Sequence, residues 1–184
     1  MGSPDSGNFS ATNGAGLSAL IDATNTQVFQ AFVGDAAGVH QFRDACTTAE
    51  FFWPGHRLNV RLLAGERMTD KASLMNEFDA AFQMRYFGRN WDSLDDWLAF
   101  LGWLSPGAGY VTFITNADRV LERNPDERAT LIDILRGAGL GWAHSVTEGA
   151  TRGRPPVPFH VVLASASLDG ITAAWGDDLP QIHS

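Results

Sequence analysis

Three carboxylates stand close together in the segment RYFGRNWDSLDDWLAFLGWL, residues 85–104. Asp92 and Asp96 are four residues apart and Asp95 is three residues after Asp92, so on a helix all three side chains project near one face. Such carboxylates could hold a divalent cation, act as general acid and base, or present negative charge to a cationic partner. They could also be ordinary solvent-facing residues of an amphipathic helix.

Metal binding and acid–base catalysis are the less favoured interpretations. Mg²⁺ sites usually include phosphate groups of a substrate, and the sequence has no GxxxxGK loop that could cradle phosphates. The five histidines are scattered without ligand spacing, and neither Asp92 nor Asp96 has an obvious partner histidine. We therefore predict a protein that is not an enzyme and that uses no metal and no cofactor.

The aromatic neighbours of these carboxylates favour binding to another protein. Tyr86, Phe87 and Trp91 are more aromatic side chains than one turn of core needs, and aromatic residues beside charge are typical of binding anchors. By their helical spacing, Trp97 and Trp103 are instead predicted to pack in the core. The net charge of −8, from 13 basic and 21 acidic residues, should repel nucleic acid and suits a basic protein partner.

Cysteine usage and the absence of targeting signals predict a cytoplasmic protein. Cys46 is the only cysteine, which excludes an intramolecular disulfide and fits a reducing compartment. The first residues form no signal peptide, and no apolar run approaches the roughly 20 residues that would span a bilayer. We expect no membrane association and a monomer when the protein is free.

Strand-like and helix-like segments alternate along the chain. The predicted strands are 26–33, 58–63, 109–115 and 159–165. The predicted helices run from Asp35 to Pro54, from Thr69 or Asp70 until Gly88 interrupts the helix, from Asp92 or Ser93 to Ser105, and from Pro125 to Gly137 or Gly139. Parallel neighbours need long crossovers, so this alternation predicts an α/β fold with a parallel sheet flanked by helices.

The segment YFGRNWDSLDDWL resembles the signature of the barstar family of ribonuclease inhibitors, Y-(Y/F)-G-x-N-x-D-A-L-x-D-x-L. The positions that match are Tyr86, Gly88, Asn90, Asp92, Leu94, Asp96 and Leu98. The resemblance continues in order from Leu58 to Ser165, through the strands LNVRLLAG, YVTFIT and PFHVVLAS and the helices between them. It implies a small parallel β-sheet packed against helices, preceded here by a strand–helix extension.

The resemblance also implies a function and the residues that perform it. The protein would be an intracellular inhibitor, or immunity protein, that occludes the active site of a basic, extracellular-type ribonuclease with an acidic helix and its preceding loop. The residues implied to contact the ribonuclease are Tyr86, Gly88, Asn90, Trp91, Asp92 and Asp96, and we add the neighbouring Asp95. Asp96 would take the place of a substrate phosphate among the enzyme's arginines and lysines.

Several positions depart from the family pattern. Asp95 stands where an aromatic residue is frequent, Ser93 replaces an alanine, and Met84 replaces a proline. Gly137 occupies a position where the best-known member has a further acidic contact. The alternative function is therefore an acidic recognition module of the same fold that binds a basic protein other than a nuclease.

We predict four segments in the chain. Residues 1–16 are a flexible tail, 17–57 are the strand–helix extension, 58–168 are the barstar-like domain, and 169–184 are a C-terminal tail.

Overall fold

A five-stranded sheet forms the centre of the computed structural model, which describes residues 20, 27–52, 58–104, 108–144, 155–177, 179 and 181–182. The strands are β1 (Phe29–Val33), β2 (Leu58–Ala64), β3 (Gly109–Thr115), β4 (Phe159–Ser165) and β5 (Gln181–Ile182). Their order in the sheet is β2-β3-β4-β1-β5, and every neighbouring pair is parallel. The predicted α/β class with a small parallel sheet is confirmed.

In the ranges that the structure describes, five α-helices provide the crossovers that parallel strands require. They are α1 (Ala36–Phe52), α2 (Lys71–Phe82), α3 (Trp91–Phe100), α4 (Arg128–Trp142) and α5 (Leu168–Trp175). Short 3₁₀ turns lie at Gly65–Arg67, Ala117–Arg119 and Pro125–Glu127. Asp35 caps the start of α1, where its Oδ1 accepts from Gly38 N at 2.8 Å, and Asp70 caps α2.

Helices cover both faces of the sheet. One buried cluster joins α2, α3, α4 and α5 to one face, with members that include Leu74, Phe78, Leu94, Leu131 and Ile171. On the other face, Phe42 of α1 stacks on Phe32 at 4.8 Å between ring centroids and lies 6.2 Å from Phe113. Burial of each such side chain stabilises the fold by about 1.5–3 kcal/mol, so the helices are held firmly against the sheet.

Helix α4 is longer than predicted. It continues past Gly137 and Gly139 to Trp142, whose buried indole Nε1–H donates to Leu98 O at 2.8 Å. A Cβ at residue 139 would lie 2.5 Å from Cγ2 of Val28. This glycine therefore permits close packing against Val28 rather than ending the helix.

The segments on either side of the matched region contribute to the same sheet. Strand β1 of the predicted extension lies between β4 and β5, with Phe29 opposite Val161. The segment predicted as a C-terminal tail contains most of α5 and all of β5, which the prediction missed. The boundaries of the four segments stay predictions, and the predicted tail 1–16 and the helix end at Pro54 lie outside the described residues.

Candidate partner-binding surface

A strained loop, residues 83–90, connects α2 to α3. Three of its non-glycine residues have left-handed backbone, Gln83 with φ 55°, Tyr86 with φ 62° and Arg89 with φ 50°. Each such conformation costs on the order of 1–3 kcal/mol and persists only where the surroundings impose it. The sequence motif marks this loop but does not reveal its backbone conformation.

Hydrogen bonds from the start of α3 and an ion pair to α2 hold the loop. Asn90 is the N-cap of α3, with its Oδ1 accepting from Ser93 N at 2.8 Å, so the helix begins at Trp91 and not at the predicted Asp92 or Ser93. The Ser93 Oγ accepts from Gly88 N at 3.0 Å, and Asn90 Nδ2 donates to Gly88 O at 3.4 Å. Arg89 donates to Asp79 at 3.0 Å.

Gly88 and Asn90 thus have identifiable structural roles. A Cβ at residue 88 would lie 3.2 Å from Asn90 Nδ2 and 3.3 Å from Ser93 Oγ, closer than most Cβ contacts. Both residues are exposed within the loop, and contact with a partner stays a prediction for each.

Tyr86 projects fully into solvent, with a relative exposure of 100%. Its neighbour Met84 is buried at 3% exposure and anchors the loop to the core. The surrounding structure holds the strained backbone of Tyr86 in place, while its aromatic side chain stays in solvent. This arrangement is typical of a residue that contacts a binding partner.

The three aspartates lie on the exposed side of α3. Leu94 and Leu98 of the same helix are completely buried, so the helix turns its apolar face to the core and its carboxylates to solvent. Among the described residues, Asp92, Asp95 and Asp96 have no hydrogen-bond or ion-pair partner. Only Asp92 lies in the first turn, where the helix dipole favours negative charge. We call Tyr86, Asp92, Asp95 and Asp96 the acidic surface.

The side chain of Trp91 is less available for contact with a partner than a fully exposed side chain would be. Its ring is half-buried against the core, and its Nε1–H donates to Glu127 Oε2 at 2.8 Å. Lys71 Nζ lies 5.0 Å from the ring centroid and 3.3 Å from the same Glu127 oxygen. Trp91 therefore connects α3 to the start of α4, and a contact between its remaining exposed part and a partner stays a prediction.

An open cleft of about 760 Å³ adjoins the acidic surface. It is lined by Gln83, Arg85, Asp96, Trp97, Phe100 and Trp103, which we call the aromatic cleft. The core packing predicted for Trp97 and Trp103 is present, since both half-buried rings pack against the core, but each also lines the cleft. Arg85 and Phe100 were not singled out from the sequence, although Phe100 follows Asp96 by four residues, the spacing that shares a helix face.

Two features are missing from the described part of the chain. In those ranges no cluster of three or more His, Cys, Asp or Glu side chains could hold a metal ion. Over the same residues, no helix combines the length and the apolar character needed to cross a membrane.

The fold defines a class, the α/β proteins with a small parallel sheet, and comparison with protein families gives the particular family. Residues 58–164, more than half of the chain, match the family described as Barstar (barnase inhibitor). The chain therefore belongs to the barstar family, and the resemblance stated above is confirmed. The curated proteins and the solved structures compared with the chain give no match.

The match spans β2 to β4 and so includes the acidic surface and the aromatic cleft. The family's description names an inhibitor of a ribonuclease, so a ribonuclease is the general class of partner that membership implies. Gly137, where a further acidic contact was expected from the resemblance, is exposed on α4 with open space around its Cβ position.

Proposed function

We propose that the protein inhibits a basic, extracellular-type ribonuclease by covering its active site with the acidic surface. The observation that carries the proposal is the set of three exposed carboxylates on α3 that have no partner among the described residues. Membership of the barstar family supports the same conclusion from the sequence. In this function the protein acts in the cytoplasm as a monomer and protects the cell that makes the ribonuclease.

In this inhibition, carboxylate charges of the inhibitor take the place of the phosphate charges of RNA. A ribonuclease binds the phosphates of RNA with arginine and lysine side chains, and carboxylates can accept the same paired hydrogen bonds from a guanidinium group. Asp92 and Asp96 are one turn apart and can address two such cations at once. No bond is made or broken, and RNA is excluded because the inhibitor occupies its site.

The strained loop lowers the cost of binding. Tyr86 is held in position before the partner arrives, because Asn90, Ser93 and the Arg89–Asp79 pair restrain the backbone around it. A preformed surface loses little conformational freedom on association, so more of the interaction energy remains as affinity.

Inhibition of barnase, with the full chain and matched variants, tests the proposal. We expect Asp96→Ala to weaken binding by about 2–5 kcal/mol, the range for truncating one partner of a buried charge pair, for which the barnase–barstar complex is itself a reference case. Asp169→Ala is the control, because Asp169 is exposed on α5 and its removal changes the net charge equally. Calorimetry and RNA cleavage assays give the two readouts.

The same variants distinguish the alternative function. Asp95 and Gly137 depart from the family pattern, which favours a changed partner if barnase is not bound. An acidic recognition module would capture a basic protein without nuclease activity, and Asp92→Ala with Asp96→Ala would abolish that capture. Equal binding of a ribonuclease by the parent and by this double variant would refute the role of the acidic surface.

A further inference from the structure

The aromatic cleft contains a rigid apolar surface that nothing in the described structure covers. The rings of Trp97 and Trp103 meet edge to face, with centroids 4.5 Å apart, and the Trp103 indole Nε1–H donates to Phe82 O at 2.9 Å. Phe100 has its ring 6.3 Å from that of Trp103 and remains 55% exposed. A Cβ at residue 102 would lie 2.5 Å from the Phe100 ring, so Gly102 allows the ring to rest there.

The polar part of the cleft carries two charges that do not neutralise each other. Arg85 and Asp96 both line the cleft, yet they form no ion pair. Among the described residues, Arg85 is the single lysine or arginine that has neither a hydrogen bond nor an ion pair. Such a free cation beside exposed aromatic rings suits an occupant that is apolar and carries a negative charge.

The cleft is continuous with the acidic surface, because Asp96 belongs to both. A protein whose cations meet Asp92 and Asp96 therefore extends next over Trp97 and Phe100. Cations alone would be repelled by Arg85 at this point. A partner can therefore bind the acidic surface and the cleft together only if it places cations near Asp92 and Asp96 and an anion near Arg85, beyond the apolar contact.

We propose that the aromatic cleft receives a partner segment in which a large apolar side chain is followed by a carboxylate. The apolar side chain covers Trp97 and Phe100, and the carboxylate pairs with Arg85. This inference rests on the proposed function and adds a specificity contact to it, because Arg85 disfavours basic proteins that lack an acidic residue at this place.

A titration of the full chain with two blocked dipeptides, acetyl-Phe-Asp-amide and acetyl-Phe-Asn-amide, tests the cleft directly. The two probes have the same shape and differ in one charge. We expect the indole N–H signals of Trp97 and Trp103 to shift saturably in NMR spectra, with the aspartate probe binding several-fold more tightly. Arg85→Gln should remove this preference, and Phe100→Ala should weaken both probes about tenfold.

Leu140→Ala is the control, because Leu140 is also an exposed apolar residue but lies on α4 outside the cleft. Equal binding of the two probes, no saturable shift, or an unchanged preference in Arg85→Gln would overturn the inference. Indole shifts that depend on protein concentration without any probe would mean that a second copy occupies the cleft, and would overturn it as well.

Barnase binding by the same variants separates this inference from the proposed function. Loss of binding on removal of Asp92 and Asp96, with no preference between the probes, would leave the function standing and the cleft inference refuted. The opposite pattern, a charge-selective cleft with no role for these two aspartates in binding barnase, would refute the function and support the cleft.

Discussion

The charges of Asp92, Asp95 and Asp96 oppose helix folding but are suited to binding a cationic partner. Like charges three or four positions apart on a helix oppose each other by about 0.2–0.5 kcal/mol per pair. The described structure offers them no compensating partner, whereas Glu77, Asp70 and Asp79 on or beside α2 are all paired. The free protein tolerates this cost, and a cationic partner would remove it.

Two glycines of α4 lie two positions apart in different surroundings, and this predicts opposite effects of the same change. Gly137→Ala should raise the free energy of unfolding by about 0.5–1 kcal/mol, because a Cβ there meets nothing within 4 Å and alanine favours the helix. Gly139→Ala should lower it by about 1–3 kcal/mol, because the new methyl group overlaps Val28. Urea unfolding of both variants measures the two effects, and a stabilised Gly139→Ala would contradict the packing.

At the scale of the elements, the cap of α3 links helix stability to the shape of the loop. Asn90→Ala removes the acceptor for Ser93 N and should lower the free energy of unfolding by about 0.5–2 kcal/mol. It should also speed amide hydrogen exchange at Gly88 and Ser93, because the loop loses its connection to the helix. Asn90→Asp keeps the acceptor and serves as control. Equal exchange in all three proteins would argue against a cap that organises the loop.

An ion pair between α2 and the 3₁₀ turn that follows β2 makes one part of the stability depend on pH. Glu77 accepts from Arg67 Nη2 at 2.7 Å, from Arg67 Nε at 3.0 Å and from Ala64 N at 3.0 Å. Burial acts to raise the pKa of Glu77, but these hydrogen bonds and the Arg67 charge outweigh it and hold the pKa below its usual value. The stability from this carboxylate is therefore complete above the unfolded pKa and is lost as pH falls through the lower folded pKa.

The variant Glu77→Gln isolates that contribution, because glutamine keeps an acceptor for Ala64 N but carries no charge. The difference in free energy of unfolding between parent and variant should be constant above about pH 6 and should shrink as pH falls below about 4.5. The lowered pKa of Asp70 acts in the same acidic range in both proteins and cancels in the difference. A difference that stays the same down to acid unfolding would contradict the assigned role of Glu77.

The elements that sequence reasoning predicted best are those with an unbroken pattern. Strands β3 and β4 have the predicted bounds, because β-branched and aromatic residues fill them from end to end. Helix α5 was missed because it is only eight residues long and contains Gly170, although Ile171, Ala174 and Trp175 have helical spacing. The end of α4 was misplaced because the role of Gly139 depends on Val28, which is far away in sequence.

The candidate site was predictable in part for similar reasons. The motif selected residues 86–96, which form one continuous loop and helix start. It could not reveal that Tyr86 has left-handed backbone, that Trp91 contacts Glu127, or that Arg85 has no hydrogen bond or ion pair within the described residues. These are properties of tertiary neighbours, and they decide which side chains remain available to bind.

The whole molecule acts through its charge before any contact forms. With a net charge of −8, the protein should attract a basic partner over distances comparable to the Debye length, about 10 Å at 0.1 M salt. The barnase–barstar pair is a standard example of such steering, so this expectation comes from the family. The association rate constant should therefore fall steeply as ionic strength rises, while the dissociation rate constant changes less.

Stopped-flow measurement of association with barnase over a series of salt concentrations checks this prediction. The Asp92→Ala, Asp96→Ala double variant should show a shallower dependence than Asp169→Ala, because the charges nearest the interface dominate the attraction. An association rate that is independent of salt would be incompatible with an electrostatic inhibitor.

The position of β1 in the sheet affects how the chain can fold while it is being synthesised. Among the described strands, β1 leaves the ribosome first, whereas its neighbours β4 and β5 leave last. Its residues Phe29, Ala31 and Phe32, buried in the finished protein, must therefore wait unpaired while β2 and β3 can already associate. The sheet closes only after β4 and β5 have been made, so a chain terminated before β4 would display an apolar strand that recruits chaperones or aggregates.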